Sequence, residues 1–407
     1  MSAPGEPRLG SLPVAGVLVA EVGLAVALGL LALEVGLLPL AGVVLSLALV
    51  AGLVRVRGEL VGTWAVLALR HRARPRELPP AAPGDGLGLP GVDAAVGPVD
   101  VIDARDHDGR PVALLGGEDG AWSAVLVPEV EDLPLLLDPT GTGAPAGTDA
   151  VGAGPDGLPL PALAATLSDR GVVLDALTVV RHVRPGGDDG PARAAHREVL
   201  GPLSDAAHRS VWLVVRLDPE RCPDAVAARG GGALGAHRAL VGSLARVGRV
   251  LAASGVPVRP MDREGVREAV AVAAGTDLDD GHGSGAGVQE RWDAVVVGEI
   301  GHATWSATAL DPASLDLDAL AAPDAVSTVA LALVAGDDGD DGDDGEDRTG
   351  LVGLDLRVRV TGRTPTEVVD AGQDLVAGAR ARGVRLDPLH GRQAAGLRAT
   401  LPLGGAR

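Results

Sequence analysis

The sequence predicts an α+β fold in which an N-terminal two-helix transmembrane hairpin precedes two tandem β-α-β-β-α-β units, the split βαβ arrangement. Three observations carry this prediction. Residues 12–54 form a long apolar stretch. The remaining chain repeats one order of strand-like and helix-like segments, and two low-complexity inserts fall at the same place in each repeat. A chain of 407 residues is long enough for such an arrangement of domains.

The apolar stretch predicts two transmembrane helices, 12–33 and 35–54, after an N-terminal tail of residues 1–11. A signal peptide is the rival interpretation, but it would be shorter and would leave the second apolar run unexplained. Arginines follow the second helix, whereas the turn between the helices carries no positive charge: Arg55, Arg57, Arg70, Arg72, Arg74 and Arg76. The positive-inside rule therefore predicts a plasma-membrane protein with two spans and both termini in the cytoplasm.

Residues 55–97 are predicted to form a basic juxtamembrane segment followed by a linker that is rich in proline and glycine. Trp64 would lie at the level of the lipid headgroups. Glu21 would lie near the middle of the bilayer, where a carboxyl group either contacts a helix of a partner or stays neutral and hydrogen-bonded without a role. The sequence leaves both roles of Glu21 open, and with them its ionisation.

The rest of the chain divides into unit 1 (98–274), a linker (275–290) and unit 2 (291–407). A helical run, Gly-Val and then alternating apolar positions recur at 169–177, 253–261 and 381–389, so that each glycine ends a helix and each alternation marks a strand. Unit 1 reads as strand 121–129, helix 160–171, strands 172–183 and 210–219, helix 234–253 and strand 256–261. Unit 2 reads as strand 302–312, helix 315–322, strands 325–336 and 351–362, helix 366–382 and strand 384–389. Short helices at 262–274 and 391–399 follow the last strands, and the inserts are 186–195 and 336–347.

The composition excludes several classes of function. The chain has no lysine, which removes the P-loop, Schiff-base and protein-kinase lysines. Its net charge of −19 argues against non-specific binding of nucleic acid. Cys222 is the single cysteine, so that a disulfide or a cysteine-based zinc site within one chain is impossible.

Few segments carry residues suited to chemistry. The insert 336–347 holds eight acidic residues among glycines; it could bind a divalent cation, but it lacks EF-hand spacing and is more typical of a disordered, solvated loop. The cluster 103–109 fits a hairpin turn better than a metal site. Cys222 follows Arg221 at a helix start but has no evident base partner. We therefore expect no catalytic residues, metal or cofactor.

The segment Arg209–Gly232 poses the sharpest question. An apolar strand meets Asp218 and Pro219, which suit the start of a helix, and three glycines then follow Arg229. A phosphate-binding loop would join the strand directly to a helix N-terminus. Because helical turns intervene, we interpret Gly230–Gly232 as a hinge between two helices. An anion site using the glycine amides and Arg229 remains the alternative.

The same segment resembles EccE, a membrane component of actinobacterial type VII (ESX) secretion systems. The resemblance rests on the apolar hairpin, RVRGELVGTWAVLALRHRAR, the stretch SVWLVVRLDPERCPDAVAARGGGALGAHRAL and the C-terminal LHGRQAAGLRATLPLG. Its signature residues are Trp212, Arg216, Asp218, Pro219, Arg229, Gly230, Gly231 and Gly232. The acidic insert and the missing Lys, Phe and Tyr depart from the family.

The resemblance implies a non-enzymatic structural subunit of the inner-membrane translocon, beside EccB, the EccC ATPase and EccD, with no catalytic residues carried over. The alternative hypothesis is a membrane-anchored enzyme or sensor that binds a phosphate or nucleotide ligand near Arg229–Gly232. Stoichiometry, contact surfaces and exported substrates lie beyond the sequence, as does any role of Cys222 or the acidic insert.

Overall fold

The computed structural model describes residues 8–9, 12–56, 59–75, 77–78, 86–117, 119–129, 159–185, 208–276, 287–310, 315–322, 325–336 and 352–405. These residues form two compact units, Met1–Arg76 and Glu77–Arg407. The predicted inserts 186–195 and 336–347 lie outside the described residues apart from Gly336, as does most of the predicted linker 275–290.

The first unit is a small helical assembly. Its helices are α1 (Val14–Leu33), α2 (Leu38–Leu53) and α3 (Val61–Ala73), with a 3₁₀ turn at Val35–Leu37. Two-residue strands pair as β1 (Arg8–Leu9) with β2 (Leu12–Pro13) and as β3 (Arg55–Val56) with β4 (Glu59–Leu60). Helices α1 and α2 pack at small residues, since Gly23 lies so close to Ala48 that a Cβ on the glycine would not fit.

The two predicted membrane spans are not supported. Among the described residues, no helix has both the length and the apolar character that a membrane crossing requires. The 3₁₀ turn shortens α2 to 16 residues, whereas a span takes about 20. The transmembrane hairpin and the two-span plasma-membrane location with both termini in the cytoplasm are therefore wrong.

The second unit is built on one antiparallel sheet of 13 strands. Its first-half strands are β5 (Glu77–Leu78), β6 (Asp100–Arg105), β7 (Pro111–Gly116), β8 (Trp122–Pro128), β11 (Ala176–Arg184), β12 (His208–Leu217) and β13 (Val258–Pro260). Its second-half strands are β14 (Val288–Glu290), β15 (Val295–Val297), β16 (Ile300–Ala309), β17 (Val326–Ala335), β18 (Val352–Gly362) and β19 (Arg385–Pro388). A separate hairpin joins β9 (Ser168–Asp169) to β10 (Val172–Val173).

The strand order reveals two similar halves joined edge to edge. The main path runs β5-β14-β15-β16-β18-β17-β11-β12-β8-β7-β6, while β13 pairs with β8 and β19 with β16. Each half therefore contains the order fourth, first, third, second among its four principal strands. The halves meet where β11 pairs with β17, from Ala176 opposite Val334 to Val183 opposite Ser327. One sheet therefore runs through both predicted units, whose bounds at 98–274 and 291–407 stay a prediction.

Helices cover both faces of this sheet. They are α4 (Pro90–Val96), α5 (Leu160–Ala164), α6 (Pro223–Ala227), α7 (Gly232–Ala253), α8 (Arg263–Ala273), α9 (Pro365–Ala381) and α10 (Gln393–Thr400). Helices α5, α6 and α7, and separately α9, pack on one face over Leu, Val and Ala side chains. Helices α4, α8 and α10 cover the other face. The result is a three-layer sandwich.

Most predicted elements are present within a few residues of their expected bounds, and the differences are instructive. The helix expected at 160–171 ends at Ala164, and the helix expected at 315–322 is a 3₁₀ turn at Asp318–Leu320. Part of the expected linker forms α4, whose Val92 and Val96 are buried. Five of the seven residues of α4 are buried, so that the helix packs into the core despite the surrounding proline and glycine.

Candidate functional site

Strand β12 carries the first signature residues on one face of the sheet. Trp212 is buried in the core beneath α4, α8 and α10, and its ring lies 6.2 Å from that of His182. Arg216 lies four residues further along the strand and therefore on the same face. The alternation of the strand thus places a large aromatic side chain and a guanidinium group on the same face of the sheet.

Arg216 connects four separate segments of the chain. Its Nε donates to Oδ2 of the buried Asp175 at 2.7 Å, and its Nη2 donates to Oδ2 of Asp119. Its Nη1 donates to the carbonyl oxygen of Gly404 at 2.7 Å. Arg221 also binds Asp175, at 3.1 Å. We call Arg216, Asp119, Asp175 and Gly404 the Arg216 cluster; it joins β12, the loop before β8, the residue before β11 and the C-terminal tail.

Charge within the cluster is mutually stabilised. Burial opposes the charge on Arg216, but the hydrogen bonds to Asp119 and Asp175 outweigh it and raise the pKa of the guanidinium. Burial likewise opposes ionisation of Asp119, yet Arg216 holds the pKa of that carboxyl below its ordinary value. Because Arg216 and Asp119 each favour the charged form of the other, both stay ionised at neutral pH. The cluster therefore holds the segments that it joins in place by ion pairs and hydrogen bonds.

Asp218 and Pro219 shape the end of β12. The Asp218 side chain accepts a hydrogen bond from the Glu220 amide at 2.9 Å and caps a 3₁₀ turn over Pro219–Arg221. This confirms their expected part in starting a helical segment. Cys222 follows, is buried, and lies with its Sγ 3.8 Å from the Asp218 carbonyl oxygen. A thiol in this position is a packing residue.

The three signature glycines form the turn between α6 and α7. Gly230, Gly231 and Gly232 have φ values of 114°, 70° and 54°, a region that residues with a Cβ adopt only at a cost. The Gly231 amide donates to the Val226 carbonyl oxygen at 3.0 Å and ends α6. The predicted position of the glycines between two helices is confirmed, and the turn requires this residue type.

Arg229 ends α6 and lines a small cleft. Its Nη1 donates to the Ala225 carbonyl oxygen at 2.7 Å. The cleft has a volume of about 180 Å³ and also receives Arg170, Arg246 and Arg249. Sequence patterns do not bring these three arginines together, because they come from the β9–β10 turn and from α7. One signal was available, since Arg246 and Arg249 are three residues apart and so share a helix face.

A second group that the sequence did not single out is a buried polar row across the centre of the sheet. His182, Thr328, Arg359 and Thr304 lie opposite one another on β11, β17, β18 and β16. Arg359 is fully buried and donates through Nη2 to the Ala273 carbonyl oxygen at the end of α8 and to Thr328 Oγ1 at 3.1 Å. The C-terminal end of a helix favours such a cation.

Burial dominates the electrostatics of this row. It lowers the pKa of Arg359 to about 9, so that the guanidinium still carries its charge at neutral pH. Burial, with Arg359 nearby, lowers the pKa of His182 to about 3 and that of His302 well below its ordinary value. His182 and His302 are therefore neutral, and each ring lies within hydrogen-bond distance of a threonine, Thr328 and Thr361 respectively.

The cluster 103–109 forms the predicted hairpin. Its turn joins β6 to β7, and the half-buried Asp106 and the exposed His107 and Asp108 have potential ligand atoms within 4.8 Å of one another. Asp106 Oδ1 accepts hydrogen bonds from the amides of Asp108 and Arg110 at 2.9 and 2.8 Å. The carboxylate is thus occupied in forming the turn.

The remaining predicted residues lie in the first unit and do not come together as a site. Glu21 is exposed on α1, and Trp64 is partly buried on α3. Arg70 and Arg72 are exposed in the last turn of α3, where positive charge favours the helix dipole. The side chain of Arg55 and the whole of Arg57 lie outside the described part of the chain.

The comparisons with known proteins fall on the segment described above. Residues 205–307 match the family model of EccE, described as a type VII ESX secretion system translocon. This match contains β12, the glycine turn, α7 and most of β16. This segment of the chain is therefore similar to the EccE family.

One curated relative supports this placement. The ESX-1 secretion system protein EccE1 of Mycolicibacterium smegmatis (strain ATCC 700084 / mc(2)155) is 37% identical over 75 residues. The alignment covers 18% of this chain and 16% of the relative, so that the likeness concerns a segment of each protein. All eight predicted signature residues lie within the part matched by the EccE model.

Proposed function

We propose that this EccE-family chain is a non-enzymatic structural subunit of a type VII secretion translocon. The observation that supports the proposal is that the signature residues make structural contacts. Trp212 fills the core, Arg216 ties the C-terminal tail to the sheet, and Asp218 caps a turn. Gly231 permits a positive φ. A family signature made of such residues preserves a shape, as a scaffold requires.

The proposed partners are EccB, the EccC ATPase and EccD. In this assignment EccC supplies the energy, while the present chain provides a rigid body against which the other subunits assemble. The continuous 13-stranded sheet suits that role, because a sheet held by helices on both faces resists deformation.

Co-purification tests the scaffold. The full chain, affinity-tagged at its N-terminus, is expressed together with EccB, EccC and EccD and extracted in detergent. We expect all three subunits to elute with the tagged chain. Recovery of the tagged chain alone, from an extract in which the other subunits are detected, would refute the proposal.

The non-enzymatic part of the proposal needs its own test. Cys222 is the single thiol of the chain, and a catalytic thiol would be indispensable. A Cys222→Ala variant expressed in a strain that lacks the native gene should restore protein export to the wild-type level. Loss of export, with the variant present at normal abundance in the purified assembly, would contradict a purely structural role for this residue.

A further inference from the structure

The cleft beside the glycine turn, which we call the arginine cleft, is lined by four guanidinium groups. Arg170 comes from the β9–β10 turn, Arg229 from the end of α6, and Arg246 and Arg249 from one face of α7. Asp169 is the carboxylate that shares this lining. The whole chain has a net charge of −19. The local excess of positive charge in the cleft is therefore opposite in sign to the charge of the protein.

The four arginines divide into two anchored and two exposed groups. Arg246 is held by Asp169 at 2.7 Å and by the Thr166 carbonyl oxygen at 2.7 Å, and Arg229 is held by the Ala225 carbonyl oxygen. Arg170 and Arg249 are exposed at the rim and make no hydrogen bond or ion pair with the described residues. The anchored pair is preorganised, while the exposed pair keeps its donors available for a ligand.

Backbone geometry at Arg170 supports a ligand role. With φ 48°, Arg170 is the non-glycine residue in the described chain that has a positive φ, and Gly171 follows with φ 77°. A two-residue hairpin turn of this kind favours Asn-Gly, because both central residues need positive φ. An arginine here costs roughly 1–2 kcal/mol of backbone strain, and such strain tends to persist at functional sites.

The volume of the cleft and the chemistry of its arginines limit the class of ligand that it can bind. A volume of about 180 Å³ is smaller than the roughly 300–1,000 Å³ that encloses a whole cofactor or drug-sized molecule. It accommodates one tetrahedral oxyanion, with any larger group remaining outside. Arginine forks bind phosphate oxygens in pairs and hold this geometry better than other cations.

We propose that the arginine cleft binds a phosphate group, either as free phosphate or as the terminal phosphate of a nucleotide. This binding site goes beyond the structural role proposed above, and its exposed Arg170 and Arg249 lie outside the signature residues. Ligand binding would fix the β9–β10 turn against α7, since Arg170 comes from that turn and Arg249 from the helix.

The test uses thermal unfolding of the full chain with sodium phosphate, ATP or ADP, each at constant ionic strength. We expect a saturable rise in Tm within about 10 mM ligand, because a ligand that binds only the folded state stabilises it. A response to phosphate equal to that to ATP identifies free phosphate as sufficient. A response to ATP at concentrations at least about tenfold lower identifies the nucleotide as the source.

Variants locate the binding. Arg170→Gln and Arg249→Gln remove exposed charges, so that the double variant should fold and should bind at least about tenfold more weakly. Arg105→Gln changes an exposed arginine on the β6–β7 hairpin and should leave binding unchanged. An absence of any saturable shift in the wild-type chain, an equal shift with sodium sulfate, or an unaltered shift in the double variant would each overturn the proposal.

Discussion

At the scale of single residues, the buried histidines of the central sheet are the most sensitive reporters of the fold. His182 and His302 are fully buried, and the nearby charges that act on His182 are those of Arg359, Arg184 and His208. A proton added to either ring would have to share a dry environment with the Arg359 guanidinium. Their neutrality is therefore a condition for the native sheet.

The neutrality of these histidines predicts that the free energy of unfolding depends on pH. Both folded pKa values lie below the unfolded value of about 6.5, so that the unfolded chain binds more protons in acid. Stability from these residues is fully present above pH 6.5 and is lost as the pH falls from there towards 3, the folded value of His182. His182 should contribute about 1.4 kcal/mol per pH unit inside this window, and His302 should act in the same direction.

Urea unfolding of the full chain between pH 7.5 and 5 checks the sign and the slope. His182→Gln should reduce the dependence on pH, whereas His107→Gln, at the exposed hairpin tip, should not change it. The explanation fails if the wild-type free energy of unfolding is flat over this range, or if both variants show the wild-type slope.

At the scale of elements, the glycine turn between α6 and α7 depends on conformation more than on contacts. A Cβ on Gly231 would meet no atom within 4 Å, yet its φ is 70°. Gly248 lies inside α7 in ordinary helical geometry, and its Cβ would make a normal contact with Val258 at 3.6 Å. A comparison of the two glycines therefore separates the effect of backbone conformation from the effect of contacts made by an added Cβ.

The same substitution should have opposite effects at these two positions. Gly231→Ala should lower the free energy of unfolding by about 1 kcal/mol, because alanine is strained at positive φ. Gly248→Ala should raise it by about 0.5–1 kcal/mol, because alanine favours the helix. Urea denaturation of both variants measures the difference. A stabilising Gly231→Ala would show that the turn tolerates a side chain and would contradict the description above.

The helices and strands also show which parts of the fold a sequence pattern can predict. Helix α7 and strands β12, β17 and β18 were predicted close to their observed bounds, because their apolar periods are long and regular. The helix expected at 160–171 was overestimated, since an apolar run does not show where the chain turns into the β9–β10 hairpin. Strands β14 and β15, each three residues long, give too few alternations for a pattern to be recognised.

At the scale of the whole molecule, the C-terminal tail holds the two halves of the sheet together. It follows α10, which belongs to the second half, and reaches strands of the first. Ser123 on β8 donates to the Leu403 carbonyl oxygen at 2.7 Å, and Arg216 on β12 donates to that of Gly404. Arg398 adds a bond from α10 to the Val96 carbonyl oxygen at the end of α4.

Replacement of Arg216 should weaken the attachment of the C-terminal tail to the sheet. Arg216→Met leaves Asp175 buried without one of its two arginine partners, and loss of one partner of a buried ion pair costs roughly 3–5 kcal/mol. We expect a fall of about 3 kcal/mol in the free energy of unfolding, since Arg221 still binds Asp175. The tail should also become more sensitive to carboxypeptidase.

The matched control is Arg291→Met, which removes an exposed arginine that contacts Gln289. Its unfolding free energy should stay within about 0.5 kcal/mol of wild type, and its tail should keep wild-type resistance. A similar result for Arg216→Met would show that the Arg216 cluster does not hold the tail.

The sequence by itself determined the order of most strands and helices, the glycine turn and the likeness of one segment to EccE, because each depends on residues close together in the chain. Tertiary structure decided which strand edges pair. β11 and β17 both present long apolar edges, and a local pattern cannot show that they join each other. The four arginines of the cleft and the four segments of the Arg216 cluster likewise come from distant positions. Only the fold brings their charges within reach, because electrostatic contacts depend on distance in space.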